Sequence, residues 1–279
     1  MVKLKKDDKL YFGKVIYYQD ELNDDFEKTN LKRIELPDDY KYTHKNIFYR
    51  FFSWLIYYFL AFPVLSIVSL IGGVRFKGRK NLKGLRKVGC FIYANHISFY
   101  DVFDIQANVC LFKRTNILGY TDALSNKVIS KIVPLIGYRP IPDKISTYKN
   151  FMNDLEYETK KGHNTLIYPE AHIWPYYTKI RPFVSASFKY PAKLKAPIIP
   201  ITNCVRKSKL SKKPKITMYI GKPIYPRDNL SVNENKDYLR DECYKVMCET
   251  AAKYSTYEYI KYVKGEQNEK ESEVQKVNR

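Results

Sequence analysis

Residues 90–101, CFIYANHISFYD, join an apolar run to a polar turn and a helix start. The run at 90–94 has the length of a buried strand. His96 comes soon after it, and Ser98 is a preferred N-cap residue, so the pattern predicts a helix whose first turn contains Asp101. Side chains at the end of such a strand lie at the edge of a sheet, where binding sites form. We therefore expect the fold and its site to be organised around this turn.

Alternating strand and helix patterns continue from this stretch toward the C-terminus. Further apolar runs of strand length are found at 164–168, 197–202 and 216–220. Helical periodicity covers 150–161 and, with one apolar face, 233–263. Alternation of this kind is typical of α/β domains. The predicted fold class is α/β, with a mixed central sheet flanked by helices.

An uncharged run of 24 residues, 51–74, precedes the sheet. It is long enough to span a bilayer as one helix. Basic residues flank both ends, however, and Pro63 divides the run into halves of about 17 Å, each enough for one leaflet. We expect a re-entrant or interfacial helical hairpin, with a transmembrane helix and a buried core helix as alternatives. The fold class therefore includes an N-terminal membrane-embedded helical segment.

Composition divides the chain into four parts. A charged N-terminal extension, 1–47, precedes the membrane-associated segment, 48–74. The main folded domain is predicted at 75–263, and a polar tail at 264–279 is expected to be disordered because it has few apolar residues to bury.

The net charge of +20 favours a polyanionic partner, although a general bias toward lysine is an equally good explanation. The sequence has no zinc-finger or RNA-binding signature, so we predict no nucleic-acid partner. Five cysteines without a Cys-x-x-Cys pair, and an N-terminus without a secretory signal, indicate a reducing compartment. The expected partner is an anionic membrane surface, and the expected location is the cytoplasmic face of the cell membrane.

His96 and Asp101 form the strongest chemical pattern in the sequence. A carboxylate five residues after the histidine can fold back onto its ring, fix the tautomer and leave the second nitrogen free to accept a proton. The two residues are therefore the predicted catalytic pair, a general base and its orienting carboxylate. A structural histidine that caps the strand is the alternative.

Glu170 lies directly after the strand predicted at 164–168, so it is expected at the same sheet edge as His96. Other polar residues of this loop are His172, Tyr177, Lys179 and Arg181. The sequence has no nucleophile elbow, dinucleotide motif or phosphate-binding lysine motif. The histidines and carboxylates of these two loops fit no standard metal-ligand spacing, so neither a metal nor a cofactor is predicted.

Four blocks occur in a fixed order. The first contains Gly78, Asn81, Leu82, Asn95, His96 and Asp101, and it is followed by LIGYRPIPD (135–143), YPEAHIW (168–174) and APIIPIT (196–202). Together they resemble the 1-acylglycerol-3-phosphate acyltransferase family, a group of lysophospholipid and glycerolipid acyltransferases of phospholipid biosynthesis. The resemblance implies that the domain at 75–263 transfers a fatty acyl group to the hydroxyl of a lysophospholipid such as 1-acylglycerol-3-phosphate. It also implies acyl-CoA or acyl-carrier protein as the donor, which is a co-substrate and not a cofactor.

The blocks that read the acceptor phosphate depart from the family pattern. Asp143 stands where the family carries an arginine, and Ala171 and His172 replace a glycine and a threonine. The residues assigned to substrate binding are Asn95, Arg139, Lys144, Glu170, His172, Lys179 and Arg181. Because the acceptor stays open, a glycolipid or other non-phosphate acceptor is an alternative. A non-catalytic lipid-binding protein on the same fold and a lipid hydrolase are the two further alternatives.

Overall fold

The computed structural model describes residues 13–27, 32–44, 46–109, 113–209 and 211–265. The predicted tail at 264–279 therefore lies outside the described residues, except for its first two positions.

The described chain contains a seven-stranded sheet and a separate strand pair. The strands are β1 (Val15–Tyr18), β2 (Arg75–Lys77), β3 (Phe91–Ala94), β4 (Thr115–Gly119), β5 (Tyr138–Pro140), β6 (Asn164–Ile167), β7 (Ile198–Arg206), β8 (Lys215–Ile220) and β9 (Lys261–Lys264). The large sheet has the order β2-β8-β7-β3-β6-β4-β5, and only the β7–β8 pair is antiparallel. A mixed α/β sheet is therefore confirmed. β3 lies at its centre and is fully buried, which explains why its sequence is a continuous apolar run.

Helices cover both faces of this sheet. They are α1 (Ile47–Gly72), α2 (Asp101–Asn108), α3 (Ile129–Ile132), α4 (Ile145–Lys160), α5 (Lys189–Leu194) and α6 (Val232–Tyr254). Side chains of β3 alternate between two cores: Phe91 and Tyr93 pack with residues of α4 and α6, whereas Ile92 packs with Ile105 of α2. The site-forming turn after β3 thus joins the central strand to the helix on one face.

The helix α1 is continuous through Pro63, so the predicted hairpin is wrong. A π-helical turn at Ile56–Ala61 directly precedes the last helical segment. The wider turn accommodates a proline, which lacks an N–H and would otherwise clash with the carbonyl one turn earlier. By length and composition α1 can cross a membrane, and only 11% of its most apolar window is buried. The core-helix alternative is therefore also wrong.

The C-terminal helix α6 ends at Tyr254, although helical periodicity predicted it as far as 263. Beyond it, the Thr256 N–H donates to the Val205 carbonyl at 2.9 Å, and the chain continues into β9, which pairs in parallel with β1. Aromatic and β-branched residues favour this extended structure. The same pairing attaches the N-terminal extension to the domain, because β1 lies within residues 13–27.

Candidate active site

His96 lies two residues beyond the C-terminal end of β3 and contacts Asp101 as its spacing predicts. His96 Nδ1 lies 3.0 Å from Asp101 Oδ1 and forms its hydrogen bond with Oδ2 at 3.2 Å, and the carboxylate is fully buried. Asp101 Oδ2 also accepts the backbone N–H groups of Ile97 at 3.0 Å and Ser98 at 3.1 Å. The helix α2 begins at Asp101 itself, not after Ser98 as predicted, because the intervening loop wraps around this carboxylate. The loop therefore fixes the orientation of the carboxylate toward the ring.

The imidazole ring of His96 is held at its Nδ1 edge by Asp101 and on one face by Tyr168. It stacks on Tyr168 with ring centroids 4.1 Å apart, and only 12% of the His96 side chain is exposed. Burial, and then the charge of Asp101, raise the pKa of the Tyr168 hydroxyl well above its ordinary value, so the phenol stays protonated. With Nδ1 occupied by Asp101, Nε2 is the nitrogen left to accept a proton.

Two buried asparagines, Asn95 after β3 and Asn203 in the neighbouring strand β7, support the turn that carries His96 and Asp101. Asn203 donates its backbone N–H to Asn95 Oδ1 at 2.7 Å and its side-chain amide to the Asn95 carbonyl at 2.7 Å. The same amide lies 3.4 Å from Asp101 Oδ2. Sequence reasoning did not identify Asn203; its only signal was a polar residue directly after the apolar run 197–202. Asn95, predicted to bind substrate, is 1% exposed and bonded within the protein.

Glu170 follows β6, the other neighbour of β3, and joins the two site loops. Its carboxylate accepts the His96 backbone N–H at 3.2 Å and the Arg181 backbone N–H at 2.9 Å. Burial raises the pKa of Glu170, and the charge of Arg181 opposes that rise. The Arg181 guanidinium is itself buried and donates to the carbonyls of Glu21, Glu170 and His172, over the face of Trp174. These contacts hold backbone in place, so the predicted substrate-binding role of both residues stays a prediction.

The backbone N–H groups of the turn are bonded to these carboxylates. Those of His96, Ile97 and Ser98 donate to Glu170 or Asp101. These three N–H groups are therefore used within the protein and do not face a developing oxyanion.

The remaining predicted substrate-binding residues lie in different places. His172 Nδ1 is 3.3 Å from Asp25, and Lys179 is exposed in the loop after Glu170. Lys144, at the start of α4, pairs with Glu35 at 2.9 Å. Arg139 is in β5, three strands from β3, and bonds Asp154 at 2.7 Å. Within the described residues, no group of three or more His, Cys, Asp and Glu side chains is arranged to hold a metal ion.

The membrane-type helix α1 packs directly against α2, beside the site. Burial raises the pKa of Asp104 to about 6; the neighbouring Ser69 hydroxyl of α1 opposes the rise, and the charge of Asp101 adds to it. Phe99 and Tyr100, between His96 and α2, are well exposed. Apolar surface thus surrounds the polar site on this side of the molecule.

Comparisons with known proteins agree with this fold. Residues 73–203 match the model of the Acyltransferase family. Among solved structures, the chain is similar to the 1-acyl-sn-glycerophosphate acyltransferase PlsC from Thermotoga maritima, with a TM-score of 0.51 and 15% identity. That match covers 76% of this chain and 98% of the other. None of the curated proteins matches the sequence significantly.

Proposed function

Because residues 73–203 belong to the acyltransferase family, we propose that the protein acylates the hydroxyl of a lysophospholipid such as 1-acylglycerol-3-phosphate. The donor is a thioester, either acyl-CoA or acyl-carrier protein. The observation that carries the proposal is the 3.0 Å contact of His96 with a buried, fully oriented carboxylate. The likeness to a lysophosphatidate acyltransferase supports the choice of acceptor.

In the proposed mechanism His96 is the general base. Its Nε2 removes the proton of the acceptor hydroxyl as the oxygen attacks the thioester carbonyl, and Asp101 stabilises the imidazolium that forms. The tetrahedral intermediate collapses, the carbon–sulfur bond breaks, and the thiolate leaves with the proton returned by His96. An ester and a free thiol are produced without a covalent enzyme intermediate.

The surrounding residues position this base and select the acceptor. Tyr168, Asn203 and Glu170 act through His96 or Asp101 and are positioning residues, since each contacts the ring, the carboxylate or the adjoining backbone. The exposed Lys179 remains a candidate for contacting an acceptor phosphate. A positively charged side chain there attracts a phosphate without committing the site to one head group.

The protein also associates with membranes in this proposal, and α1 lies in the plane of the interface. Ser53 donates to the Leu135 carbonyl at 2.7 Å, and Tyr57 accepts the Thr115 N–H at 3.0 Å. Ser69 of the same helix, about 24 Å beyond Ser53 at 1.5 Å per residue, is buried where α1 packs against α2. A helix held to its own domain over that length cannot cross a bilayer, whereas its exposed apolar face can enter one leaflet. The cytoplasmic face is the side we propose.

An acyl-transfer assay tests the proposed function. Purified protein is given acyl-CoA or acyl-carrier protein with lysophosphatidate, a zwitterionic lysolipid or a glycolipid acceptor, and products are separated as esters or free fatty acid. We expect a new ester with lysophosphatidate and none from His96→Ala. Free fatty acid alone would identify a hydrolase, and the absence of turnover with every acceptor would favour a non-catalytic lipid-binding protein.

A further inference from the structure

A cavity of about 920 Å³ lies between α1 and the β4–β5 side of the sheet. One wall is formed by aromatic side chains of α1, among them Phe51, Trp54 and Phe59. The facing wall carries Arg114 and Lys161. Ligand sites in proteins typically have volumes of roughly 300–1,000 Å³. The cavity therefore has the size and the two-sided chemistry required for an amphiphile.

This cavity lies at the opposite end of the sheet from His96. Arg114 directly precedes β4 and His163 directly precedes β6, and both strands run parallel to β3. The register of β3 with β6 places His163 level with Gly89, seven residues before His96. At ~3.3 Å per extended residue, that is roughly 23 Å. The cavity is thus separate from the catalytic turn.

Positive charge exceeds negative charge in the cavity lining. The lining includes four Lys and Arg side chains, namely Arg50, Arg114, Arg139 and Lys161, against the single carboxylate of Glu158. Glu158 is already engaged by His163 at 2.7 Å and by Asn116 at 2.8 Å. Burial opposes its ionisation, but the His163 hydrogen bond and the Arg139 charge outweigh burial and lower its pKa to about 2. Arg139 balances this charge and also pairs with Asp154, so the positive excess of the lining is carried by Arg50, Arg114 and Lys161.

Arg114 is the cation best placed to bind an anion. Its Nη2 donates to the Leu135 carbonyl at 2.9 Å, its Nε donates to Asn116 at 3.4 Å, and its guanidinium lies over the Tyr57 ring. These two bonds use two of the five N–H donors of a guanidinium. Among the described residues, Arg114 forms no ion pair within 4.0 Å. Burial, and then the charge of Arg139, lower its pKa, and the opposite charge of a bound anion would stabilise the guanidinium against both.

We propose that this cavity binds the head group of an anionic phospholipid, with the phosphate at Arg114 and Lys161 and the acyl chains along the aromatic wall of α1. The bound lipid is a resident of the site and takes no part in acyl transfer. This inference rests on the proposed membrane association and not on the proposed reaction. It gives α1 a lipid-specific contact in addition to its apolar face.

Tryptophan fluorescence tests the inference, because one of the two tryptophans in the chain, Trp54, lines the cavity. The other, Trp174, is fully buried beside the catalytic loops. Full-length protein is titrated with dihexanoyl phosphatidate below its micelle concentration, with dihexanoyl phosphatidylcholine and with inorganic phosphate. We expect a saturable change with phosphatidate, at least tenfold weaker binding of the other two, and no change in Trp54→Phe.

Arg114→Gln should weaken phosphatidate binding by roughly 10- to 100-fold, since it removes a charge-assisted contact. Lys161→Gln should have a smaller effect in the same direction. Arg206→Gln is the matched control, because Arg206 is also half-buried, lies near Arg75 and bonds a single threonine outside the cavity. Thermal unfolding of each variant checks folding, and Lys161→Gln carries the test if Arg114→Gln does not fold.

Three outcomes would overturn the inference. One is unchanged phosphatidate affinity in both cavity variants. Another is inorganic phosphate binding as tightly as phosphatidate, which would make the site an anion site without lipid selectivity. The last is lost phosphatidate binding in His96→Ala, which would place the lipid in the catalytic site. Trp54-dependent binding by a protein without transferase activity would support the cavity and contradict only the proposed reaction.

Discussion

The two ends of the central sheet differ in how their polar groups are satisfied. At the C-terminal end of β3, Asp101 Oδ2 and the Glu170 carboxylate accept N–H groups of the protein itself, and the His96 ring retains one nitrogen without a described partner. At the N-terminal end of β4, Arg114 retains donors and positive charge is in excess. A general base that acts in one geometry requires neighbours that fix its position. A binding site, in contrast, keeps polar groups available for its ligand.

The largest expected effect is at the end of the sheet that carries His96. General-base catalysis contributes about 10²- to 10⁴-fold, so His96→Ala should lose at least that much turnover while folding normally. Asp101→Asn should also be severe, because an amide cannot stabilise the imidazolium. Steady-state kinetics with lysophosphatidate measure both, and His172→Ala is the milder control, since its ring contacts Asp25 and not His96. Near-normal turnover by His96→Ala would contradict the mechanism.

The buried ion pair of Glu170 and Arg181 tests whether the His96 end of the sheet depends on its supporting charges. Arg181→Met leaves the Glu170 carboxylate buried without its cation, and removing one partner of such a pair typically costs about 3–5 kcal/mol. Denaturant unfolding should show a loss of that size. The double variant Glu170→Gln/Arg181→Met should recover part of it, because no charge is then left unpaired. No recovery in the double variant would mean that packing, not charge, carries the effect.

Asp104, at the His96 end of the sheet, has a raised pKa, and its pH dependence has a defined sign. Burial raises its pKa from 3.8 to about 6, so the folded protein binds this proton more tightly than the unfolded chain. Its unfavourable contribution grows as pH rises from about 4 to 6 and is complete above that range. Asp104→Asn should therefore stabilise the protein at pH 7, by on the order of 2–3 kcal/mol. Urea unfolding of both proteins at pH 4.5 and 7 measures this; an equal difference at both values would contradict it.

The smallest expected effect concerns α1, which lines the cavity with its first half and packs against α2 with its last part. Leu70 is 79% exposed on the apolar face. Leu70→Ser should weaken binding to vesicles by roughly tenfold, since burying a leucine side chain in an apolar phase is worth about 1.5–3 kcal/mol. Leu70→Ile, which keeps the apolar surface, is the control. Vesicle sedimentation measures the change, and high salt should weaken but not abolish binding of the parent protein. Equal sedimentation of Leu70→Ser and the parent would place the membrane contact elsewhere.

Prediction from the sequence succeeded where the pattern is local. The runs that became β3, β6, β7 and β8 were identified because buried strands carry continuous apolar residues. The helix boundaries were less accurate, since α6 ended at Tyr254 where tertiary pairing with β1 outweighed helical periodicity. The hairpin prediction for α1 failed because a proline interrupts one hydrogen bond, and a π-turn absorbs that loss without reversing the chain.

The sequence by itself determined the contact between His96 and Asp101 and the apolar character of α1, because both depend on residues close together in the chain. Tertiary structure alone decided the rest of the site. Asn203 bonds Asn95, 108 residues away and next to His96, because β7 lies beside β3. The cavity around Arg114 exists because α1 packs along the domain and covers the N-terminal end of β4. Local spacing fixes which side chains share an element, but strand order and helix packing fix which elements meet.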